Sequence, residues 1–203
     1  MPFKRFSFKD EFGFTMVNVM RKTGAKKIIG STCAYCGVLR RQIMNKQARE
    51  MKGSKLATGH NLDDETQSIL MNVMDADLER LLRSGPKSEG VKGMIPRIKP
   101  LYHCPEREII AFAKIAGIKY FEQKCCPFKW QAKRNDFREM VEDFEAKYPG
   151  MMFSTVKFLK QVKENAGKKA GSSKLGTCSK CKEPCSGKVC KACKMAERIG
   201  EKG

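Results

Sequence analysis

Lys55-Leu56-Ala57-Thr58-Gly59-His60-Asn61-Leu62-Asp63-Asp64-Glu65 reads as a strand, a turn and the start of a helix. The spacing predicts a short buried strand that runs into the Gly-His turn. Three acids then stand where the positive end of a helix dipole favours them. The helix they open carries an apolar stripe of Ile69, Leu70, Val73, Leu78, Leu81 and Leu82, and Gly85-Pro86 ends it. Beyond it, residues 86–94 form a polar loop and residues 95–101 an extended, proline-punctuated segment. A helix follows over Pro105–Ala116 with Ile109, Ile110, Phe112 and Ile115 inward, then a strand over Ile118–Phe121. Helices over Trp130–Lys147 and Phe153–Val162 complete this part, with Trp130 read as core. Strands alternating with helices predict an open, mostly parallel α/β sheet with flanking helices. Ligands of such sheets sit at the carboxyl ends of the strands, where Gly59, His60, Asp63 and Asp64 fall. Two adjacent carboxylates there suit Mg²⁺ beside phosphates; a well-capped helix start is the plainer account of the same residues.

Upstream, Met1–Phe8 alternates basic and aromatic residues like a strand, and Thr15–Lys22 reads as a helix capped by Thr15. Cys33-Ala34-Tyr35-Cys36-Gly37-Val38-Leu39-Arg40-Arg41 then sets two thiols in what reads as a loop, just before an amphipathic helix. A helix start lowers thiol pKa and favours bound metal. The spacing leaves zinc, an iron–sulfur cluster and a redox pair open. A third ligand must come from elsewhere: Cys104, Cys125 or Cys126. Three cysteines leave one coordination position open, as a catalytic cluster does, whereas closure by Cys104 or His103 would make a structural zinc site.

The chain becomes polar and glycine-rich near its C-terminus. Residues 1–162 are read as one α/β domain, 163–177 as a linker and 178–203 as a small metal module. In that module Cys178-x2-Cys181 and Cys190-x2-Cys193 provide four thiolates at knuckle spacing, the strongest motif in the sequence and a zinc site by its pattern. Cys185 lies between the pairs as an alternative ligand.

The 203 residues contain 41 Lys and Arg against 22 Asp and Glu, a formal charge of +19. That excess selects polyanions, nucleic acid first. Ten cysteines grouped mostly in pairs fit reduced, metal-bound thiols in the cytoplasm better than a secreted disulfide framework. With two histidines a histidine-rich metal site is excluded. No run reaches the roughly 18 apolar residues of a membrane span.

The Cys33–Arg41 segment, Ala57–Asp64, Leu70-Met71-Asn72 and Cys126-Pro127-Phe128 together resemble the tRNA 2-thiouridine synthetases of the TtuA type, a family that includes archaeal and eukaryotic cytosolic thiouridylases. The resemblance implies a PP-loop fold of the adenine-nucleotide α-hydrolase kind. It implies adenylation of a tRNA uridine at its C2 oxygen by ATP with Mg²⁺, followed by sulfur transfer. It implies a [4Fe-4S] cluster on Cys33, Cys36 and Cys126, with Cys125 a neighbour and the fourth iron open to sulfur. That sulfur would come from a donor, in some members a ubiquitin-like sulfur-carrier protein. Arg40 then steadies phosphate or developing negative charge, Asp64 lies near uridine and ATP, and Gly59, His60 and Asp63 line the nucleotide crevice. Zn²⁺ at Cys178, Cys181, Cys190 and Cys193 and a homodimer also follow. The sequence departs from the family in lacking an N-terminal zinc module and the Ser-Gly-Gly-x-Asp-Ser loop that cradles pyrophosphate. It reads as an N-terminally truncated member, in which cluster and tRNA binding would outlast adenylation. The alternatives are a non-catalytic basic zinc protein that binds tRNA, or one half of a split thiolation enzyme.

Overall fold

A computed structural model describes residues 3–24, 31–88, 93–120, 132–166 and 175–200. The strand–turn–helix unit is where the sequence places it. Strand β1 (Leu56–Ala57) leads into helix α4 (Leu62–Met74), and strand β2 (Arg97–Ile98) returns parallel to β1, Leu56 opposite Arg97 and Ala57 opposite Ile98. The backbone N–H groups of Leu56 and Thr58 bond to Pro96 and Ile98, so this edge is held by main-chain bonds. β1 is shorter and wetter than expected. Leu56 is half-buried and Ala57 exposed, because among the described residues β1 has a partner on one side alone.

The expected long helix is broken. α4 stops at Met74, Ala76 takes a left-handed conformation (φ 51°), and Asp77 caps a second helix, α5 (Leu78–Arg83), by accepting the N–H of Arg80. The turn rotates the stripe, so Val73 and Leu78 face solvent while Ile69 and Leu81 stay inside. Helix α6 (Glu106–Ile115) has the expected extent but not the expected face. Ala113 is buried, whereas Ile110, Phe112 and Ile115 are exposed, and among the described elements none packs broadly against them. Residues 118–120, expected to begin a strand, have no regular structure, and Ile118 is exposed. The last helix of the α/β part before residue 150, α7, spans Arg134–Lys147; Trp130 lies outside the described residues. Helix α8 (Met151–Asn165) follows a left-handed Gly150 (φ 94°). Buried Glu145 supplies the missing cap by accepting from the N–H groups of Gly150 (2.7 Å) and Met152 (2.9 Å).

Near the start of the chain, where a strand over Met1–Phe8 is expected, residues 3–7 have no regular structure and residues 1–2 lie outside the described residues. Ser7 accepts the N–H of Asp10 and opens a short helix, α1 (Phe8–Phe12), on which Phe8, Phe12 and the following Phe14 stack. Thr15 caps α2 (Met16–Gly24), as expected. The Cys33–Arg41 segment starts α3 (Thr32–Glu50), the longest helix among the described residues. At the C-terminus, β3 (Gly176–Thr177) pairs antiparallel with β4 (Pro184–Cys185), and α9 (Lys191–Gly200) follows.

Two buried clusters organise these elements. The first joins Phe14 and Val19 with Tyr35 and Leu39 of α3 and with Ala192, Met195 and Ile199 of α9. The second packs Leu62 and Ile69 of α4 against Leu81, Tyr102, Val141, Met152, Val156 and Leu159. The four-cysteine module is therefore seated on α2 and α3, with Lys22 Nζ donating to the Ile199 carbonyl at 2.7 Å.

Candidate metal and nucleotide site

Ser31 is the N-cap of α3, its Oγ accepting the N–H of Ala34 at 3.2 Å. Cys33 and Cys36 therefore stand inside the first turns of the helix, not in a loop before it. They are half-buried on either side of fully buried Tyr35. Three positions apart on a helix, they share a face, and the helix dipole favours their thiolate forms. Cys126 and Cys125 lie outside the described residues. Among the described residues, neither Cys104 nor His103 gathers with Cys33 and Cys36 into a metal-sized group.

Arg40 and Arg41 follow on the same helix, both exposed, and Arg41 Nε donates to the Gly37 carbonyl at 2.8 Å. Partial desolvation first, then repulsion from Arg40 and Arg80, pulls the Arg41 pKa below its ordinary value. Arg97 on β2 is lowered too, by desolvation and by Arg41. Guanidinium groups from α3, α5 and β2 thus share one electrostatic neighbourhood, which favours anions.

The turn after β1 is tightly built. Thr58 Oγ1 lies 2.9 Å from His60 Nδ1, and desolvation lowers the His60 pKa. Asn61 and Asp64 form a reciprocal capping box at the start of α4. Asp64 also lies 3.5 Å from Arg134 of α7, whose guanidinium reaches Ser68 Oγ at 2.9 Å. Asp63 accepts the Glu106 N–H at 2.7 Å and so caps α6, whose own N-cap residue is a proline. Both carboxylates read as Mg²⁺ candidates are engaged in capping. A Cβ at Gly59 would meet no atom within 4 Å, so the turn borders open space. Behind it, Glu65 is 2% exposed and paired with Lys99 at 2.8 Å, and burial pushes the adjacent Tyr102 phenol up to about 12.

Cys178, Cys181, Cys190 and Cys193 bring their sulfurs within 4.8 Å of one another, the one such group of metal-ligating side chains among the described residues. Cys178 and Cys193 are 3.9 Å apart, Cys181 and Cys190 3.6 Å. A tetrahedral zinc with Zn–S bonds of about 2.3 Å requires sulfurs about 3.8 Å apart, so the donor set fits that ion. The N–H groups of Cys190 and Cys193 point at the sulfurs of Cys178 and Cys190, the pattern that stabilises thiolates. Backbone donors, chiefly at Cys181 and Cys190, lower the Cys178 thiol to about 6, while burial raises Cys181 to about 11 and raises Cys193. Cys185 stands outside the group, its thiol donating to the Gly187 carbonyl at 2.8 Å.

Gln42 and Glu183 are not among the residues that the sequence singles out. Gln42 Nε2 donates to Cys181 Sγ at 3.2 Å, and Glu183 receives Asn45 Nδ2 at 3.0 Å and pairs with Arg49. Glu183 had a signal, being the sole acid among the lysines of 178–194. Gln42 had none.

Residues 18–143 match the family model of the PP-loop domain, and the chain belongs to that family. It is 34% identical over 202 residues to a probable sulfurtransferase of Methanocaldococcus jannaschii, covering 99% of this chain and 58% of the relative. It is 34% identical over 199 residues to the cytoplasmic tRNA 2-thiolation protein 1 of Caenorhabditis elegans, covering 98% of this chain and 52% of that protein. Among solved structures it is similar to the U34-tRNA thiolase NcsA from Methanococcus maripaludis with its [4Fe-4S] cluster, at a TM-score of 0.67 and 31% identity, over 81% of this chain and 52% of that one. The chain thus spans little more than half the length of these relatives.

Proposed function

We propose that this protein takes part in tRNA thiolation: a sulfurtransferase of the PP-loop family that converts a uridine to 2-thiouridine at the expense of ATP. The observation that carries the reading is the Cys33/Cys36 pair at the start of α3 in a chain similar, at 31% identity, to a tRNA thiolase described with its [4Fe-4S] cluster. When bound by Cys33, Cys36 and Cys126, such a cluster supplies an iron position for sulfur. The chain's own residues do the rest. The start of α3 sets Cys33 and Cys36 on one face of the helix, near its positive end. Arg40, with Arg41 next to it on α3 and Arg97 in turn near Arg41, attracts the phosphates of ATP or tRNA and steadies negative charge developing on the uridine oxygen. Gly59 and His60 border the nucleotide crevice, and Asp64, aligned by Asn61 and Arg134, faces the reacting groups. Cys178, Cys181, Cys190 and Cys193 hold zinc. The sulfur donor is a separate protein, and the thiolase works in the cytoplasm, as a homodimer.

Anaerobic purification followed by metal analysis tests this reading. Iron and sulfide together with one zinc per chain are expected, and Cys126→Ala should lose the iron and keep the zinc. ATP-dependent incorporation of sulfur into tRNA should accompany the iron. A colourless protein with two zincs overturns the cluster. A second reading, a basic zinc protein that grips tRNA without chemistry, is favoured by one observation: Asp63 and Asp64 are already engaged as helix caps. That protein would bind tRNA and incorporate no sulfur under any condition.

A further inference from the structure

The two cysteine centres, remote in sequence, meet on one helix. α3 carries Cys33 and Cys36 at its start, and Tyr35 and Leu39, both fully buried, press against α9 of the four-cysteine module. One turn on, Gln42 Nε2 donates to the sulfur of Cys181 at 3.2 Å. Beyond that, Asn45 and Arg49 both hold the carboxylate of Glu183, whose side chain is 8% exposed. The backbone carbonyl of Glu183 in turn accepts the N–H of Cys178 at 2.9 Å. Glu183 is thus fixed by α3 through its carboxylate and tied to a cysteine of the group through its backbone carbonyl. Hydrogen bonds to ligating groups orient them and tune their affinity, and a buried carboxylate is tolerated only while its partners stay in place. If the four sulfurs close on a metal, Cys178 and Cys181 move together, and the ties through Gln42 and Glu183 pass that constraint to α3.

We propose that metal uptake by the four-cysteine group fixes α3 through Gln42 and Glu183, and so sets the position of Cys33 and Cys36. The proposal rests on the reading of that group as a metal site. Gln42 and Glu183 are positioning residues: they touch neither substrate nor the reacting atoms. The coupling is local, because α4 belongs to the second buried cluster, which shares no residue with the first.

Hydrogen exchange of the full chain with and without one equivalent of Zn²⁺ tests this. Cys33→Ala and Cys36→Ala are introduced so that zinc meets one complete set of ligands. Protection of the amides of residues 33–50 is expected to rise about tenfold or more on zinc addition, while residues 62–74 change little. With Gln42→Leu or Glu183→Gln added, zinc should still enter and protect residues 178–193, but the rise over 33–50 should fall to about threefold or less. Loaded with Co²⁺, Gln42→Leu should also shift the cobalt–thiolate absorption, because Cys181 loses its donor. Zinc uptake that leaves residues 33–50 exchanging as before overturns the proposal, as does an equal rise over 62–74. Failure to take up zinc at all overturns the metal reading, and the proposal with it.

Discussion

Glu65 is a buried acid on the helix that carries Leu62 and Ile69 of the second core. It is 2% exposed, and its carboxylate is matched by Lys99 Nζ at 2.8 Å, itself 21% exposed. Glu65 sits one turn into α4 and Lys99 just after β2, so the pair also clamps the helix to the parallel strands. A buried ion pair adds little net stability, but breaking one partner strands a charge in low dielectric. Lys99→Met should therefore cost about 3–5 kcal/mol in urea unfolding, whereas Glu65→Leu with Lys99→Met should cost distinctly less. If the single change costs no more than the double, the pair does not clamp the helix to the strands. Asp63 and Asp64 show the same preference for structural use of acids. Their position after a strand end marks them as site residues, and their hydrogen bonds show them capping α6 and α4.

At the level of elements, the cap decides where α3 begins and hence what Cys33 and Cys36 are. The apolar and basic periodicity after Leu39 gave the helix; it did not show that Ser31 would start it two residues before the first thiol. Ser31→Ala removes the side-chain acceptor for the Ala34 N–H and should cost about 1 kcal/mol, read by thermal or chemical unfolding. Fraying of that first turn should also change the rate at which Cys33 and Cys36 are alkylated at a fixed pH. A cost near zero with unchanged alkylation would show that tertiary packing of Tyr35 alone holds the turn. The helices themselves were legible from periodicity, since most of their expected ranges agree with the structure to within a few residues. What periodicity misread was facing. The stripe on α4–α5 is turned by the left-handed Ala76, a conformation with no sequence mark of its own at an alanine. The apolar side of α6 is exposed because the neighbours that bury a face are a tertiary fact, and a single helix does not contain it.

At the scale of the whole molecule, the four-cysteine group was legible because its ligands are close in sequence, whereas its seat on α2 and α3 was not. Contacts such as Gln42 to Cys181 join residues 139 positions apart and leave no periodic trace. Charge, by contrast, is read from composition and remains meaningful after folding. The acids are drawn into structure: Glu65 and Glu183 are buried in ion pairs, Glu145 caps α8, and Asp63 and Asp64 cap α6 and α4. The 41 basic residues outnumber the 22 acids, and among the described residues Arg40 and Arg41 are exposed on the helix that bears Cys33 and Cys36. A surface of this kind binds RNA by displacing condensed cations from its phosphates. If the protein makes about six or more phosphate contacts, its affinity for tRNA should fall about a thousandfold or more between roughly 50 and 200 mM salt. Arg41→Ala and Arg97→Ala should each flatten the slope of log affinity against log salt by about one unit or less, since each removes at most one such contact. A response to salt that is flat in the unaltered protein would show that the basic surface serves solubility, and that tRNA, if bound at all, is held by other means.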